Sequence, residues 1–295
     1  MTCKICGSTK IKMIYNDKIR NGGLGHYTKK DVPVYQCELC SVIWHENTLS
    51  DIGEYYESTE YRDSLEGGSE EERFYQLHDR ETCQKIQYTG TSVFRNKVVA
   101  DVGCGCGAFL DFISGVAKVV IAVEPSEKYR KIMDRKGYHT YAYTEQALDD
   151  FRETADVVTS FDVIEHVEDP EAFLRNIFEL LKPGGKAIIG TPTDAPVMRQ
   201  LLGGIYEKKL LFSTQHLWIF SENSLELLAD KCGYHGKNVK CFQRYGIDNM
   251  MGWIRDKEPN SEIEMGVLTE ELNALWKSYA AEKGLGDYIV LYLEK

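Results

Sequence analysis

One segment constrains the fold of this chain more than any other: Val98-Val99-Ala100-Asp101-Val102-Gly103-Cys104-Gly105-Cys106-Gly107-Ala108. A short run of strand formers enters a turn with glycine at every second position and leaves into a helix-compatible stretch. Glycine adopts backbone conformations that side chains forbid, so such a turn lets a ligand come close to the main chain. A turn of this kind sits where a buried parallel strand hands over to a helix, and the residues that follow repeat that alternation. Strands are expected at 98–102, 118–123, around 138–141, and at 155–161, 186–191, 239–245 and 287–293. Ser126 can cap a helix that Gly137 ends. Asp169-Pro170 opens another, and its Phe173, Leu174, Ile177, Leu180 and Leu181 share one face before Lys182-Pro183-Gly184-Gly185 stops it. Two more helices are expected at 224–232 and 269–283. The alternation predicts one α/β domain over residues 95–295, its parallel sheet covered on both faces.

The start of the chain reads differently. Cys3-Lys4-Ile5-Cys6 and Cys37-Glu38-Leu39-Cys40 form two Cys-x-x-Cys turns separated by residues 7–36. Each turn aims two thiolates at one point, and two of them close a tetrahedral sulfur site suited to zinc. The other reading is two unrelated cysteine pairs, free or redox-active. With no open ligand position, the Zn2+ of Cys3, Cys6, Cys37 and Cys40 is expected to be structural. The segment between the turns includes Asn21-Gly22-Gly23-Leu24-Gly25 and is too poor in apolar residues to make its own core. Metal binding would then supply the folding free energy. A zinc-binding module is expected over 1–48. An acidic, Tyr-rich connector (Tyr55, Tyr56, Tyr61, Tyr75, Tyr88) follows over 49–94, with a break at Gly67-Gly68 and a helix at 70–88 that packs on, or lids, the next domain.

Charge and cysteine usage bound the function. The 35 basic and 46 acidic side chains leave a net charge of −11, which argues against binding a nucleic-acid backbone. No apolar run reaches the roughly 18–20 residues that span a bilayer; the longest, such as 119–123, are strand-sized, so no membrane insertion is expected. No apolar signal core follows Met1–Cys6. The expected compartment is cytoplasmic, where nine cysteines serve as metal ligands or small core residues rather than disulfides.

The glycines alone do not choose a ligand, since Gly103-x-Gly105-x-x-Ala108 also fits a dinucleotide fingerprint. Asp101 narrows the choice: a carboxylate there repels a pyrophosphate but suits a cationic ligand. Glu124 closes the second strand 21 residues on (124 − 103), where a carboxylate can accept both hydroxyls of a ribose.

Asp101-x-Gly103-x-Gly105-x-Gly107, Val123-Glu124-Pro125-Ser126, the stretch from Ser160-Phe161-Asp162-Val163-Ile164-Glu165-His166 to Pro170, and Leu181-Lys182-Pro183-Gly184-Gly185 together resemble the class I S-adenosylmethionine-dependent methyltransferases. The resemblance covers about residues 95–245. It implies a Rossmann-like seven-stranded sheet with an antiparallel last strand. It also implies S-adenosyl-L-methionine as cofactor, with its sulfonium and methionine ends near Asp101, Gly103, Cys104, Gly105 and Gly107. Its ribose would lie on Glu124 beside Pro125, and its adenine near 142–145 and Phe161, Asp162 and Val163. Many members carry an acid after strand three to hold the adenine amine, whereas this chain has Tyr141-Ala142-Tyr143-Thr144-Glu145. Cys104 and Cys106 fit the loop as small residues beside the cofactor.

The cysteine turns and Tyr-rich connector look like those of zinc-binding bacterial sugar methyltransferases, including C-methyltransferases of nucleotide-linked deoxysugars. Those carry a further C-terminal domain that this chain is too short to hold, which shifts the expectation toward O-methylation of a sugar-like small molecule. An alcohol acceptor needs a base to take its proton, and histidine is the natural one. His166 follows strand four, and His216 lies after strand five in Ser213-Thr214-Gln215-His216. The C-methylating relatives carry a Glu-His pair at the comparable place, where Gln215 stands here. Arg244 and Tyr245, expected to end strand six, could take a phosphate or carboxylate. Asp162-x-x-Glu165-His166 also resembles the cation-binding stretch of ubiquinone-pathway O-methyltransferases, which leaves a phenol acceptor and a magnesium ion as a rival reading. A cofactor-binding module that docks a partner through its cysteine turns is a second rival, and an NAD-dependent dehydrogenase a third.

Overall fold

The computed structural model describes residues 1–49, 52–58, 63, 67–259, 265, 266 and 268–295. Tyr61 of the expected connector lies outside the described residues. In chain order the elements are β1 (Ile11–Asp17), β2 (Val32–Cys37), β3 (Ile43–Trp44), α1 (Ile52–Glu57), α2 (Glu71–Thr89), β4 (Val98–Val102), α3 (Ala108–Ser114), β5 (Val119–Val123) and α4 (Glu127–Arg135). There follow β6 (His139–Tyr141), α5 (Thr144–Phe151), β7 (Ala155–Phe161), α6 (Pro170–Leu180), β8 (Leu181–Pro192) and α7 (Pro196–Leu202). A π-helical turn at Glu207–Leu211 precedes β9 (Trp218–Ile219), α8 (Glu222–Cys232), β10 (Gly236–Phe242), α9 (Ile247–Asp256), α10 (Glu270–Glu282) and β11 (Tyr288–Glu294). No helix among the described residues is long and apolar enough to cross a membrane.

The larger sheet has seven strands in the order β10-β11-β8-β7-β4-β5-β6. β4 pairs in parallel with both β5 and β7, β5 with β6, and β7 with β8. β11 runs the other way: the Lys295 amide meets the Gly185 carbonyl at one end, and the Thr193 amide meets the Asp287 carbonyl at the other. The last strand is therefore antiparallel, as expected. Local chemistry explains the expected helices. Asp169 caps α6 by accepting from the amides of Glu171 and Ala172, both at 3.0 Å. Leu174, Ile177 and Leu180 are fully buried on its inner face, and Leu181, equally buried, already opens β8. Gly137 ends α4 with φ of +80°. Ser126 occupies the cap position of α4, but its side chain makes no capping bond; instead its amide donates to Glu124.

The chain divides into two compact units that are not collinear with it. The first combines 1–48, 191–225 and 239–290; the second combines 49–190, 226–238 and 291–295. A linear reading into 1–48, 49–94 and 95–295 does not anticipate this interleaving. Within the first unit, β1, β2, β3 and β9 form an antiparallel sheet in that order. Its core joins Ile19, Val32, Val34 and Ile43 to Leu202, Phe212, Ile219 and Trp253. Residues between the cysteine turns thus have a core, borrowed from segments about 170–235 positions along the chain.

Candidate active site

In the second unit, the carboxyl ends of β4, β5 and β7 converge on the glycine turn. Asp101 lies on the central strand and is only 5% exposed. Thr159, its neighbour on β7, donates its hydroxyl to Asp101 Oδ1 at 2.7 Å. Burial raises the Asp101 carboxyl to about 6, against the pull of the Thr159 hydroxyl and Lys85, with Glu124 adding to the rise. Gly103, Gly105 and Gly107 adopt φ of +80°, +56° and +81°. A Cβ on Gly103 would lie 2.2 Å from Val163 Cγ2, and one on Gly105 would lie 2.5 Å from Phe74 Cζ. The turn is therefore walled by Val163 from the β7 side and by Phe74 from α2.

The amides of Gly105 and Ser126 donate to Glu124 Oε2 and Oε1, each at 3.0 Å. Two such bonds orient the carboxylate, and each oxygen has acceptor capacity for a second donor such as a ribose hydroxyl. Arg130 fixes the backbone behind it by donating to the carbonyls of Glu124 and Pro125. A buried acid, a bare glycine backbone and an oriented strand-end carboxylate fit a cationic, ribose-bearing cofactor. The Cys104 thiol is pushed well above its ordinary value, first by burial, and lies 3.3 Å from Met133 Sδ. Cys106 is fully buried, and its carbonyl accepts from the Tyr75 hydroxyl at 3.0 Å. Both act as packing residues.

On the β7 side, Phe161 is buried and Asp162 adopts φ of +58°, a strained region for a residue other than glycine. The Asp162 amide donates to the Gly190 carbonyl at 2.9 Å, which holds the turn. His166 Nδ1 lies 2.9 Å from the Tyr56 hydroxyl of α1, and Glu165 Oε1 lies 3.9 Å from His166 Nε2. Asp162 joins neither Glu165 nor His166 in a group of three potential metal ligands among the described residues. In the expected adenine stretch, the Tyr143 hydroxyl donates to Glu57 at 2.6 Å and Glu145 accepts from Asn176 at 2.6 Å. α1 is thus tied at Tyr56 to the β7 end and at Glu57 to the β6 end. Phe74 and Thr159 are additions to the residues singled out from sequence, and Tyr56, named there only as one of the connector tyrosines, gains a specific partner in His166.

The first unit holds His216, Gln215, Arg244 and Tyr245. His216 is half-buried and its amide donates to Ser213 Oγ at 3.2 Å; Gln215 is buried. Arg244 and Tyr245 do not end a strand, because β10 stops at Phe242. The reason is Asp287, whose Oδ1 takes the Arg244 amide at 2.8 Å in place of a ladder partner, while Oδ2 meets Arg244 Nε at 3.3 Å. The guanidinium lies 4.4 Å from the Tyr288 ring centre and 5.6 Å from that of Tyr245.

The four cysteines converge in the same unit. Cys3 and Cys40 sulfurs are 3.6 Å apart, those of Cys6 and Cys37 3.5 Å, and all four lie within 4.8 Å of one another. Four sulfurs at about 2.3 Å from one zinc lie roughly 3.8 Å from each other, so the cluster fits that ion. Burial pushes the Cys37 thiol up, but the amides of Cys40 and Leu39 and the adjacent thiols pull it further down, to about 7. Burial raises the Cys3 and Cys40 thiols, so Cys37 leans toward the thiolate unaided while those two need a bound cation to hold theirs.

If Asp101 and Glu124 hold a cofactor, both should show in calorimetry. A hydrogen bond to a charged group is worth roughly 1.5–3 kcal/mol, so Glu124→Ala should weaken S-adenosylmethionine binding about tenfold to a hundredfold. Asp101 is ionised only above about 6, so affinity for the cationic cofactor should fall as pH drops through that value. The sign for stability is opposite: the folded-state value is raised, so ionising Asp101 destabilises the free protein as pH rises through the same window. Unchanged affinity in a folded Glu124→Ala protein would remove Glu124 from the site.

Comparison with known proteins bears on the whole assembly. Residues 71–237, more than half of the chain, match a family model described as a methyltransferase domain. The mitochondrial ubiquinone biosynthesis O-methyltransferase of Homo sapiens is 26% identical over 156 residues, covering 48% of this chain and 42% of that protein. The Caulobacter sp. (strain K31) ubiquinone biosynthesis O-methyltransferase is 36% identical over 110 residues, covering 35% and 43%. The chain thus spans less than half the length of these two relatives. Among solved structures, a SAM-dependent methyltransferase from Thermotoga maritima superposes with a TM-score of 0.51 at 24% identity, over 76% of this chain and 93% of that one. A Haloferax volcanii methyltransferase complexed with the Trm112 activator gives 0.53 at 15% identity, over 78% and 96%. These structures share the fold, and the family match decides between the two readings that the glycine turn allowed. With an acidic residue ahead of that turn, an oriented Glu124 after β5 and an antiparallel last strand, the chain belongs to the class I S-adenosylmethionine-dependent methyltransferases.

Proposed function

We propose that the protein is a cytoplasmic O-methyltransferase whose acceptor is a hydroxyl of a polar, sugar-like molecule on a nucleotide-linked or surface-glycan precursor. The observation that carries this reading is Arg244, held by Asp287 and stacked on Tyr288. A guanidinium fixed in this way is a fork suited to phosphate or carboxylate oxygens, and Tyr245 beside it offers a face for a sugar ring. Asp101, the glycine turn and Glu124 would hold the cofactor, whose bound form supplies a methyl group on a cationic leaving group. What remains for the protein is alignment and removal of one proton. His216 is the proposed base, and Zn2+ on Cys3, Cys6, Cys37 and Cys40 is structural. The net charge of −11 supports a reading without nucleic acid.

The names of the curated relatives favour a second reading, a phenol acceptor of the ubiquinone type. Methyl-labelled cofactor offered with nucleotide-linked sugars or with catechol, with and without magnesium, separates the two. Label on a sugar hydroxyl without added metal is the expected result. Magnesium-dependent labelling of catechol alone would replace the proposal. Tight cofactor binding with no transfer to any acceptor would favour a non-catalytic binding module.

A further inference from the structure

Residues 212–219 carry Gln215 and His216, and the first 48 residues hold them along nearly their whole length. The Arg20 amide donates to the Phe212 carbonyl at 3.0 Å, and the Thr214 amide returns to the Arg20 carbonyl at 2.9 Å. The Thr214 hydroxyl donates to Asn21 Oδ1 at 3.1 Å. Beyond His216, β9 is a strand only by pairing with β3, Ile219 opposite Ile43 and Trp218 opposite Trp44. At the centre sits His45, 4% exposed, directly after β3. Its Nε2 lies 2.9 Å from the Ser213 carbonyl and 3.0 Å from the His216 carbonyl, and its Nδ1 lies 2.8 Å from the Glu46 carbonyl. Carbonyls only accept, so in the Nδ1–H tautomer the ring donates to Glu46, while in the Nε2–H tautomer it donates to both Ser213 and His216, the residues that bracket Thr214 and Gln215. The hold on the loop belongs to the Nε2–H form. Without it, two carbonyls of a loop whose Ser213, Thr214 and Gln215 are buried would lose their donor, a cost that reorganises a backbone.

The second cysteine turn is fastened to the residues just beyond the same segment. Ser221 Oγ donates to the Cys40 carbonyl at 2.7 Å, and Asn223 Nδ2 to the Leu39 carbonyl at 3.2 Å. We infer that residues 1–48 are the template on which the 212–219 loop is shaped, with His45 the positioning residue that sets the backbone of His216. The cysteine module then serves the acceptor side of the reaction from within, and its purpose is not the docking of a separate partner. The link to catalysis rests on the reading of His216 as base; the link to loop order does not.

Hydrogen–deuterium exchange of the 212–219 peptide in the full-length, zinc-loaded protein tests the template directly. In His45→Leu, exchange across Thr214–His216 should rise at least tenfold while zinc content and S-adenosylhomocysteine affinity stay at wild-type values. His45→Gln keeps an N–H near the Nε2 position and should restore much of the protection. Asn21→Ala, at an exposed residue, should loosen Thr214 alone and serves if His45→Leu does not fold. On whichever nucleotide-linked sugar or catechol accepts label, His45→Leu should lower kcat by about a hundredfold with KM within a few-fold, the signature of a displaced group. Wild-type protection in both His45→Leu and Asn21→Ala overturns the inference, and so does a His45→Gln as damaged as the leucine variant. A loosened loop with unchanged turnover leaves the template standing and removes His216 from the chemistry.

Discussion

Full-length protein carrying Cys37→Ser should lose the four-stranded sheet of the first unit and retain cofactor binding in the second. Cys37 is fully buried, ends β2, and sits 3.5 Å from the Cys6 sulfur. Serine keeps the size but not the thiolate, and a three-ligand site gives up much of the metal affinity. Structural zinc contributes about 10–16 kcal/mol of apparent free energy in small modules, while whole domains are stable by only about 5–15 kcal/mol. The loss should spread beyond the cysteine turns, because Ile19, Val32, Val34 and Ile43 share one core with Leu202, Phe212, Ile219 and Trp253. Exchange protection should therefore vanish in β1, β2, β3 and β9 together. Every residue assigned to the cofactor lies in the second unit, so S-adenosylmethionine affinity by calorimetry should stay within a few-fold. A Cys37→Ser protein that keeps its sheet protected, or wild-type protein with far less than one zinc per chain as purified, would exclude a structural metal. Loss of cofactor binding along with the sheet would show that the two units fold as one.

What the sequence disclosed and what it withheld follow from the range of the forces involved. β4 and β7 lie where short runs of strand formers and flanking turns put them, at 98–102 and 155–161. α6 begins at the Asp169-Pro170 signal because capping and the proline effect act over three or four residues. The glycine turn and the orientation of Glu124, proposed to hold the cofactor, are local for the same reason: their donors and acceptors come from one strand-turn-helix and the next strand end. The interleaving of the first unit was not legible. β9 is two residues long and has no periodicity of its own; it exists because Ile43 and Trp44 offer a partner edge. Nor does local pattern reveal that Tyr56 meets His166, 110 positions away, or that Asp287 takes the amide of Arg244 and ends β10 early. In each case the contact joins residues far apart in the chain, and local propensity carries no trace of it.

His216→Ala should lower kcat by about 10²–10⁴, the usual cost of removing a positioned base, while cofactor affinity stays within a few-fold. The geometry makes this substitution clean. The His216 backbone is held through its amide by Ser213 Oγ and through its carbonyl by His45, so truncating the imidazole leaves the loop's own bonds in place. Gln215 next to it cannot accept a proton to rescue the variant, in contrast to a carboxylate at that position. If proton removal is limiting, the acidic limb of the pH–rate profile should flatten with the loss of the group whose protonation produced it. His166→Ala should behave differently. His166 is bonded to Tyr56 of α1, and its turn abuts the glycine loop through Val163, so its loss should weaken cofactor binding as well as turnover. An active His216→Ala beside an inactive His166→Ala with normal cofactor affinity would reverse the two roles. Two active variants would mean that the acceptor ionises without a histidine, the outcome expected of an acidic phenol or a metal-bound hydroxyl rather than a sugar alcohol.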